Sequence, residues 1–177
     1  MEVIASSIEG CKIIQPKVFG DHRGFFLETF QAARYAECGI DLPFVQDNYS
    51  RSSKGVLRGL HFQINKPQGK LVRVVRGEVF DVAVDIRCDS PTFGRWEGVI
   101  LSEENKTQFW VPPGLAHGFV VLSETADFEY KCTDYYDPTD EGCLIWNDSE
   151  IGIEWPVTDP LLSDKDRAGQ TLAELFS

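Results

Sequence analysis

The sequence predicts an all-β fold: a β-sandwich, barrel or jelly roll. Two observations carry that expectation. Short segments of alternating apolar and polar residues recur at near-regular spacing, and Gly- and Pro-containing turns separate them. A chain of 177 residues suits one domain, spanning residues 1–177, with a sizeable core. Its 42% apolar and 12% aromatic content is ordinarily globular.

The elements follow in chain order. Phe25 to Phe30 alternates after the turn-like Gly20-Asp21-His22-Arg23-Gly24, and reads as a strand. Gln31 to Cys38 reads as a short helix, with Gly39 as its stop. Gln46-Asp47-Asn48 is a polar cluster before a loop, where Asx-turn chemistry is the plain reading. Val56 to Gln63 is strand-like. Leu71 to Val75 and Val79 to Ile86 flank Arg76-Gly77-Glu78, a hairpin signal. In the second arm Phe80, Val82, Val84 and Ile86 share one face, and Asp81 and Asp85 the other. Gly98 to Leu101, Gln108 to Val111, Gly118 to Leu122, Asp127 to Thr133 and Leu144 to Trp146 continue the pattern. Ser163-Asp164-Lys165-Asp166 has the residues of a helix start, and Thr171 to Phe176 those of a weak terminal helix.

Composition excludes several classes. The longest apolar runs, such as Phe119 to Leu122, are too short to span a bilayer, and Met1-Glu2-Val3-Ile4 lacks the basic start of a signal peptide. No membrane partner and a cytoplasmic location are expected. Five scattered cysteines with no Cys-x-x-Cys pair argue for free thiols and against structural zinc. A net charge of −11 disfavours nucleic acid as a partner. It does not disfavour a small anion, because Lys54, Arg58, Lys66, Lys70, Arg73 and Arg76 form a stretch without one acid.

Some residues stand where packing alone does not explain them. His61 sits in the apolar strand Val56 to Gln63. A lone histidine there is more often a hydrogen-bonded core residue; the functional alternative is a general base. Strict alternation sets Arg58 and His61 on opposite faces, so sharing one pocket requires a bend or bulge at Gly59. Lys70 opens the next strand, either solvated or aimed at an oxyanion. Phe128 to Tyr136 carries three tyrosines, one of which can serve as a general acid if it faces a pocket, while Tyr135 or Tyr136 can stack on a base or sugar. Arg23 lies in a glycine-flanked turn, solvated or holding a phosphate. Glu28 alternates with Phe26 and Phe30, a carboxylate on an aromatic face that wants a partner. Asp166 either caps its helix or orients His61.

Pro-x-Gly-x-x-His, ending at His117, resembles the second signature motif of the cupins, a jelly-roll superfamily. The strand matching the first cupin motif offers only His61, with Gln63 two residues on. The donor set is too small for a transition-metal site, so no metal is expected. The fold class expected is therefore all-β, a cupin-type jelly-roll β-barrel with short peripheral helices.

A closer resemblance runs over nearly the whole chain. It is carried by Pro-Lys-Val-Phe-Gly-Asp-x-Arg-Gly-Phe-Phe from Pro16, Phe-Val-Gln-Asp-Asn from Phe44, Val-Leu-Arg-Gly-Leu-His-Phe-Gln from Val56 and Gln-Gly-Lys-Leu-Val-Arg from Gln68. Ser-Pro-Thr-Phe-Gly from Ser90, Gly-Leu-Ala-His-Gly-Phe from Gly114 and Tyr-Lys-Cys-Thr-Asp-Tyr-Tyr from Tyr130 continue it. In these segments the sequence resembles the dTDP-4-dehydrorhamnose 3,5-epimerase family. The resemblance implies a cofactor-free homodimer whose partner is a small dTDP-sugar. It implies His61 as base, Tyr130 as proton donor, Lys70 near the keto oxygen and Asp166 behind the histidine. It further implies substrate contacts at Arg23, Glu28, Gln46, Asp47, Asn48, Arg58, His117, Glu141 and Lys165, with Tyr135 stacking.

Overall fold

Period-two alternation builds two antiparallel sheets that face each other. The computed structural model describes all 177 residues. One sheet has six strands in the order β1 (Glu2–Ala5), β2 (Lys12–Gln15), β10 (Gln108–Val111), β7 (Lys70–Arg76), β12 (Thr125–Cys132) and β5 (Gln46–Ser53). The other has five: β13 (Glu141–Cys143), β6 (Leu57–Gln63), β11 (Leu115–Val121), β8 (Glu78–Asp85) and β9 (Trp96–Ser102). A separate hairpin, β3 (Val18–Asp21) with β4 (Gly24–Leu27), stands apart from both. This is the expected all-β jelly roll.

Between the sheets lies a dry core. Val72, Val74, Phe109 and Phe128 come from the six-stranded wall, and Val79, Leu101, Phe119 and Val121 from the five-stranded wall. Each such side chain contributes about 1.5–3 kcal/mol by leaving water. The outer face of the five-stranded sheet is covered too. Leu60, Phe62, Val82 and Val84 pack under Leu144, Ile151 and Leu172 of the C-terminal segment. On the outside of the six-stranded sheet, Tyr35 of α1 (Ala32–Glu37) packs with Ile14, Leu71 and Trp110.

The helices stop and start where the sequence says. The Gln31 side chain accepts from the Arg34 amide at the start of α1, and Gly39 follows its end at φ 78°. Ser163 caps α2 (Asp164–Arg167), and Thr171 caps α3 (Leu172–Leu175) in a reciprocal capping box.

Four expectations are corrected. The strands around Gly77 are not a hairpin: β7 and β8 belong to opposite sheets, and Gly77, at φ 78°, passes the chain between them. Its turn chemistry is local, whereas pairing is decided by burial on both faces. The Phe25 segment ends as a strand at Leu27, leaving Glu28 outside it. Gln46 begins a full strand rather than a loop, because β12 pairs along its whole length. The strand near Leu144 is Glu141–Cys143, while Leu144, just past its end, exchanges backbone hydrogen bonds with Leu60 and makes an isolated bridge to Gln170.

The condition set on Gly59 is met. His61 pairs with His117, and Arg58 pairs with Phe119. Three steps along β6 therefore match two along β11, which is a one-residue bulge. The extra residue turns Arg58 and His61 to the same side. Gly59 has φ 118°, and a Cβ there would lie 2.7 Å from both Gly118 Cα and His117 O. Gly118 is pinned reciprocally, since its Cβ would meet Arg58 O at 2.5 Å.

Gly55 provides the control, with φ 81° and nothing within 4 Å of the place a Cβ would take. Gly55→Ala is expected to cost about 1 kcal/mol from the backbone alone. Gly59→Ala is expected to cost at least about 2 kcal/mol more, because backbone must move. Equal losses in urea melts would mean that the bulge does not depend on this glycine.

Candidate active site

At one end of the barrel the apolar filling stops. Phe119 and Phe128 stack at 4.1 Å between ring centroids and belong both to the dry core and to the floor of a cleft of about 330 Å³. The strands that build the core continue past this floor with polar side chains.

Alternation selects which residues enter. On β5, Gln46, Asn48 and Ser50 line the cleft. Asp47 alternates outward and pairs with Lys131 at 3.0 Å, so the cluster Gln46-Asp47-Asn48 is split between two faces. Lys70 of β7 pairs in register with Cys132 of β12, and Tyr130 stands two residues along on the same face. Arg58, His61 and Gln63 enter from β6, His117 from β11 and Glu141 from β13. His61 thus faces Lys70 and Tyr130 from the opposite sheet.

The His61 wall is held from behind. His61 Nε2 lies 2.6 Å from Asp166 Oδ1. Asp166 is 3% exposed. Ser163 Oγ donates to its other oxygen at 2.8 Å, and the Gly59 amide donates at 3.4 Å. Burial pushes the Asp166 carboxyl up, but the hydrogen bonds from His61 and Ser163 outweigh it and hold the group below the usual aspartate range. Local backbone pairing delivers α2 to this place: Leu161 bonds Gly55 and Leu57 alongside β6. The cap of α2 is Ser163, and the Asp166 carboxylate is turned to His61 instead. With Nε2 engaged, Nδ1 is the ring nitrogen left for proton transfer; Glu141 Oε1 lies 3.9 Å from it.

The facing wall is a desolvated one. Burial lowers the Lys70 ammonium below its usual range. Burial pushes the Tyr130 phenol up to about 12, against the Asn48 amide and Arg58, which lower it. The phenol is a proton holder at neutral pH. Neither Lys70 nor Arg58 forms an ion pair; Arg58 donates from Nε to Ser52 Oγ at 3.0 Å. Three others of the cationic stretch are spent elsewhere, Lys66 on Asp137, Arg73 on Glu129 and Lys54 on Glu124, and Arg76 does not line the cleft. Two unpaired cations in a cleft suit an anionic ligand.

At the rim, Glu141 accepts from Tyr136 Oη at 2.8 Å and from Lys165 Nζ. Burial raises the Glu141 carboxyl, and these two donors more than reverse that. Tyr136 lines the cleft, whereas Tyr135 is 64% exposed and points away. Of the two tyrosines that were candidates for stacking, Tyr136 is the one in the cleft.

Arg23 and Glu28 are not brought to this cleft. Arg23 is at the tip of the β3–β4 hairpin, exposed and paired with Asp21. Glu28 pairs with Arg34 at 2.5 Å. One residue was missed. Asp81, fully buried, holds His117 Nε2 at 2.9 and 3.0 Å. Its signal was visible, a carboxylate within the apolar strand Val79 to Ile86. Both imidazoles of the cupin-like pattern thus carry carboxylate partners.

Known proteins resemble this chain over nearly its whole length. A family model described as dTDP-4-dehydrorhamnose 3,5-epimerase matches residues 5–174. A relative of that name from Pseudomonas aeruginosa is 56% identical over 176 residues, covering 98% of this chain and 97% of its own. One from Neisseria gonorrhoeae is 58% identical over 175 residues and covers 98% of this chain, which spans only 53% of that longer protein. A crystal structure of a dTDP-6-deoxy-D-glucose-3,5-epimerase from Legionella pneumophila, in complex with dTDP-4-keto-L-rhamnose, is 60% identical. It has a TM-score of 0.95 and covers 97% of this chain and 93% of its own. A 3′-monoepimerase from Streptomyces bikiniensis, in complex with dTDP-quinovose, is 40% identical at TM-score 0.89, covering 95% of this chain and 86% of its own.

Linkage gives a stability test. The folded Asp166 carboxyl titrates below an unfolded aspartate, about pH 3.9. Its contribution is complete above that value and lost as pH falls through the folded one. Asp166→Asn is expected to lower the melting temperature at neutral pH, and its deficit to shrink on acidification towards about pH 3. A deficit independent of pH would assign the loss to packing.

Proposed function

The chain belongs to the dTDP-4-dehydrorhamnose 3,5-epimerase family, and from that premise we propose that His61 and Tyr130 exchange protons with a dTDP-linked 4-keto sugar. The activity is that of an isomerase, an epimerase of the dTDP-rhamnose route. The substrate is dTDP-4-dehydro-6-deoxy-D-glucose and the product dTDP-4-dehydro-L-rhamnose.

One observation carries the mechanism. A carboxylate-backed imidazole and a protonated phenol line one cleft from opposite sheets. Carbons 3 and 5 flank the ketone at carbon 4, so their protons are acidic. His61 Nδ1 removes one, and Asp166 supports the imidazolium that forms. General-base help of this kind is worth about 10²–10⁴ in rate. The buried Lys70 ammonium stabilises the enolate oxygen, where charge develops in a site poor in water. Tyr130 returns a proton from the other face, which inverts the centre. Arg58 binds the diphosphate, Gln46, Asn48 and His117 bind polar groups of the ligand, and Tyr136 stacks. All five thiols are free, which supports a reducing, cytoplasmic setting.

Arg23 and Glu28 enter through a second copy of the chain. The hairpin that carries Arg23 and ends just before Glu28 exposes Phe19, Phe25 and Phe26 by 54%, 60% and 68%. A lone two-stranded hairpin with such a surface is marginal in water. Docked on a partner in a homodimer, it buries those rings and carries both residues to the partner's cleft.

A second reading, inversion at one carbon only, is favoured by the likeness to the 3′-monoepimerase. Incubation with the keto sugar in deuterated water separates the two. Deuterium is expected at both carbons 3 and 5, and His61→Ala is expected to abolish it; label at one carbon would establish the second reading. The shared site has its own test. Arg23→Ala and His61→Ala proteins, each impaired, are expected to regain activity when mixed and allowed to exchange subunits. A monomeric 19.9 kDa species in light scattering, or no recovery, would reject the dimer.

A further inference from the structure

Behind the cleft, Cys143 has no part in the chemistry above, yet it stands beside the catalytic pair. In the β13–β6 ladder it is the direct partner of His61, so both side chains leave the sheet on the same side. Asp166 arrives from α2 at the same point. Donor atoms of His61, Cys143 and Asp166 all lie within 4.8 Å of one another. We propose that these three residues form a site for a thiophilic divalent cation, zinc or cadmium, that switches the catalytic base off.

The donor set selects the ion. Imidazole nitrogen, thiolate and carboxylate together suit zinc-like ions and not magnesium or calcium, which prefer oxygen alone. Three protein ligands leave a fourth tetrahedral position for water. The spacing is close to what such an ion needs. With bonds of about 2.0–2.3 Å, tetrahedral donors stand about 3.3–3.8 Å apart. The 2.6 Å contact between His61 Nε2 and Asp166 Oδ1 has to open slightly, and the thiol, within 4.8 Å of the other donors, has to close by about an ångström at most. Side-chain rotations of Cys143 and His61 supply movements of that size. Asp166 stays anchored through its other oxygen by Ser163.

The consequence for His61 follows from proton balance. In the free enzyme Nε2–H donates to Asp166, and Nδ1 carries the lone pair that accepts the substrate proton. A cation bound at Nε2 needs a lone pair there, so the ring proton leaves Nε2 and moves to Nδ1. The imidazole stays neutral and its cleft-facing nitrogen is now protonated. Cys143 gives up its thiol proton to become the thiolate ligand, so one proton is released per cation bound. Nothing is oxidised or reduced. The base is silenced from behind, without the cation entering the substrate cleft.

The inhibitory half of this inference rests on His61 as base; the binding half does not. Two readouts keep them apart, both on the full chain and on Cys143→Ser, a near-isosteric change at a residue that does not line the cleft. Cobalt(II), used as the spectroscopic probe, is expected to give a sulfur-to-cobalt charge-transfer band in the wild type that Cys143→Ser abolishes. Zinc is expected to inhibit solvent exchange into the keto sugar. Cys143→Ser should keep the basal rate and need more zinc by well over the roughly tenfold that loss of an outer partner costs. A band that survives in Cys143→Ser, or the absence of any band, would overturn the site. Cobalt binding at Cys143 with equal zinc inhibition of both proteins, or with none, would overturn the switch.

Discussion

The close approach of two glycines sets the site. Gly59 of β6 and Gly118 of β11 stand where neither can carry a side chain, because each Cβ would enter the other strand's backbone. That contact accommodates one extra residue in β6. Without it, alternation would leave Arg58 and His61 on opposite sides of the sheet. With it, Arg58 and His61 share one wall of the cleft. The same bend brings the Gly59 amide to Asp166, which in turn holds His61. One backbone irregularity thus positions Arg58, His61 and Asp166 together.

The barrel is divided along its length by the Phe119–Phe128 stack. Below it, apolar side chains from both sheets provide the burial that stabilises the fold. Above it, the same strands carry Lys70, His117, Tyr130 and Asn48, which on their own would cost stability. The structure offsets that cost by pairing. His117 has Asp81, and His61 has Asp166. No fully buried side-chain nitrogen or oxygen lacks a hydrogen-bond partner. Of the residues lining the cleft, Lys70 and Arg58 are cations without an ion-pair partner. A ligand with negative charge would complete them, so a net charge of −11 over the whole chain does not disfavour an anion in this cleft.

Local signals were legible in the sequence, and non-local ones were not. The limits of α1 follow from Gln31 and Gly39, and the start of α2 from Ser163, because caps act within one turn. The need for a bend at Gly59 was legible because period-two geometry left no other way to unite Arg58 and His61. Strand β5 escaped because its sequence from Gln46 to Ser53 has no apolar face. One side lines a polar cleft and the other meets solvent, so the usual alternation of burial has no apolar residues to show it. Gly77 announced a turn correctly, but which sheet each flank joins depends on packing far along the chain. Motif matching singled out Arg23 and Glu28, whereas the single chain keeps them away from its own cleft. Asp81 carried the same signal as His61, a charge in an apolar strand, and took its meaning only once His117 was placed beside it.

The mechanism proposed for this cleft divides labour between two walls: His61 takes protons and Tyr130 gives them back. The most direct test uses Tyr130→Phe with keto sugar deuterated at carbons 3 and 5, in ordinary water. Removal of label should continue, because His61 and its support are intact, while inverted product should fall by about 10²-fold or more. Inversion at the wild-type rate in Tyr130→Phe would contradict this division.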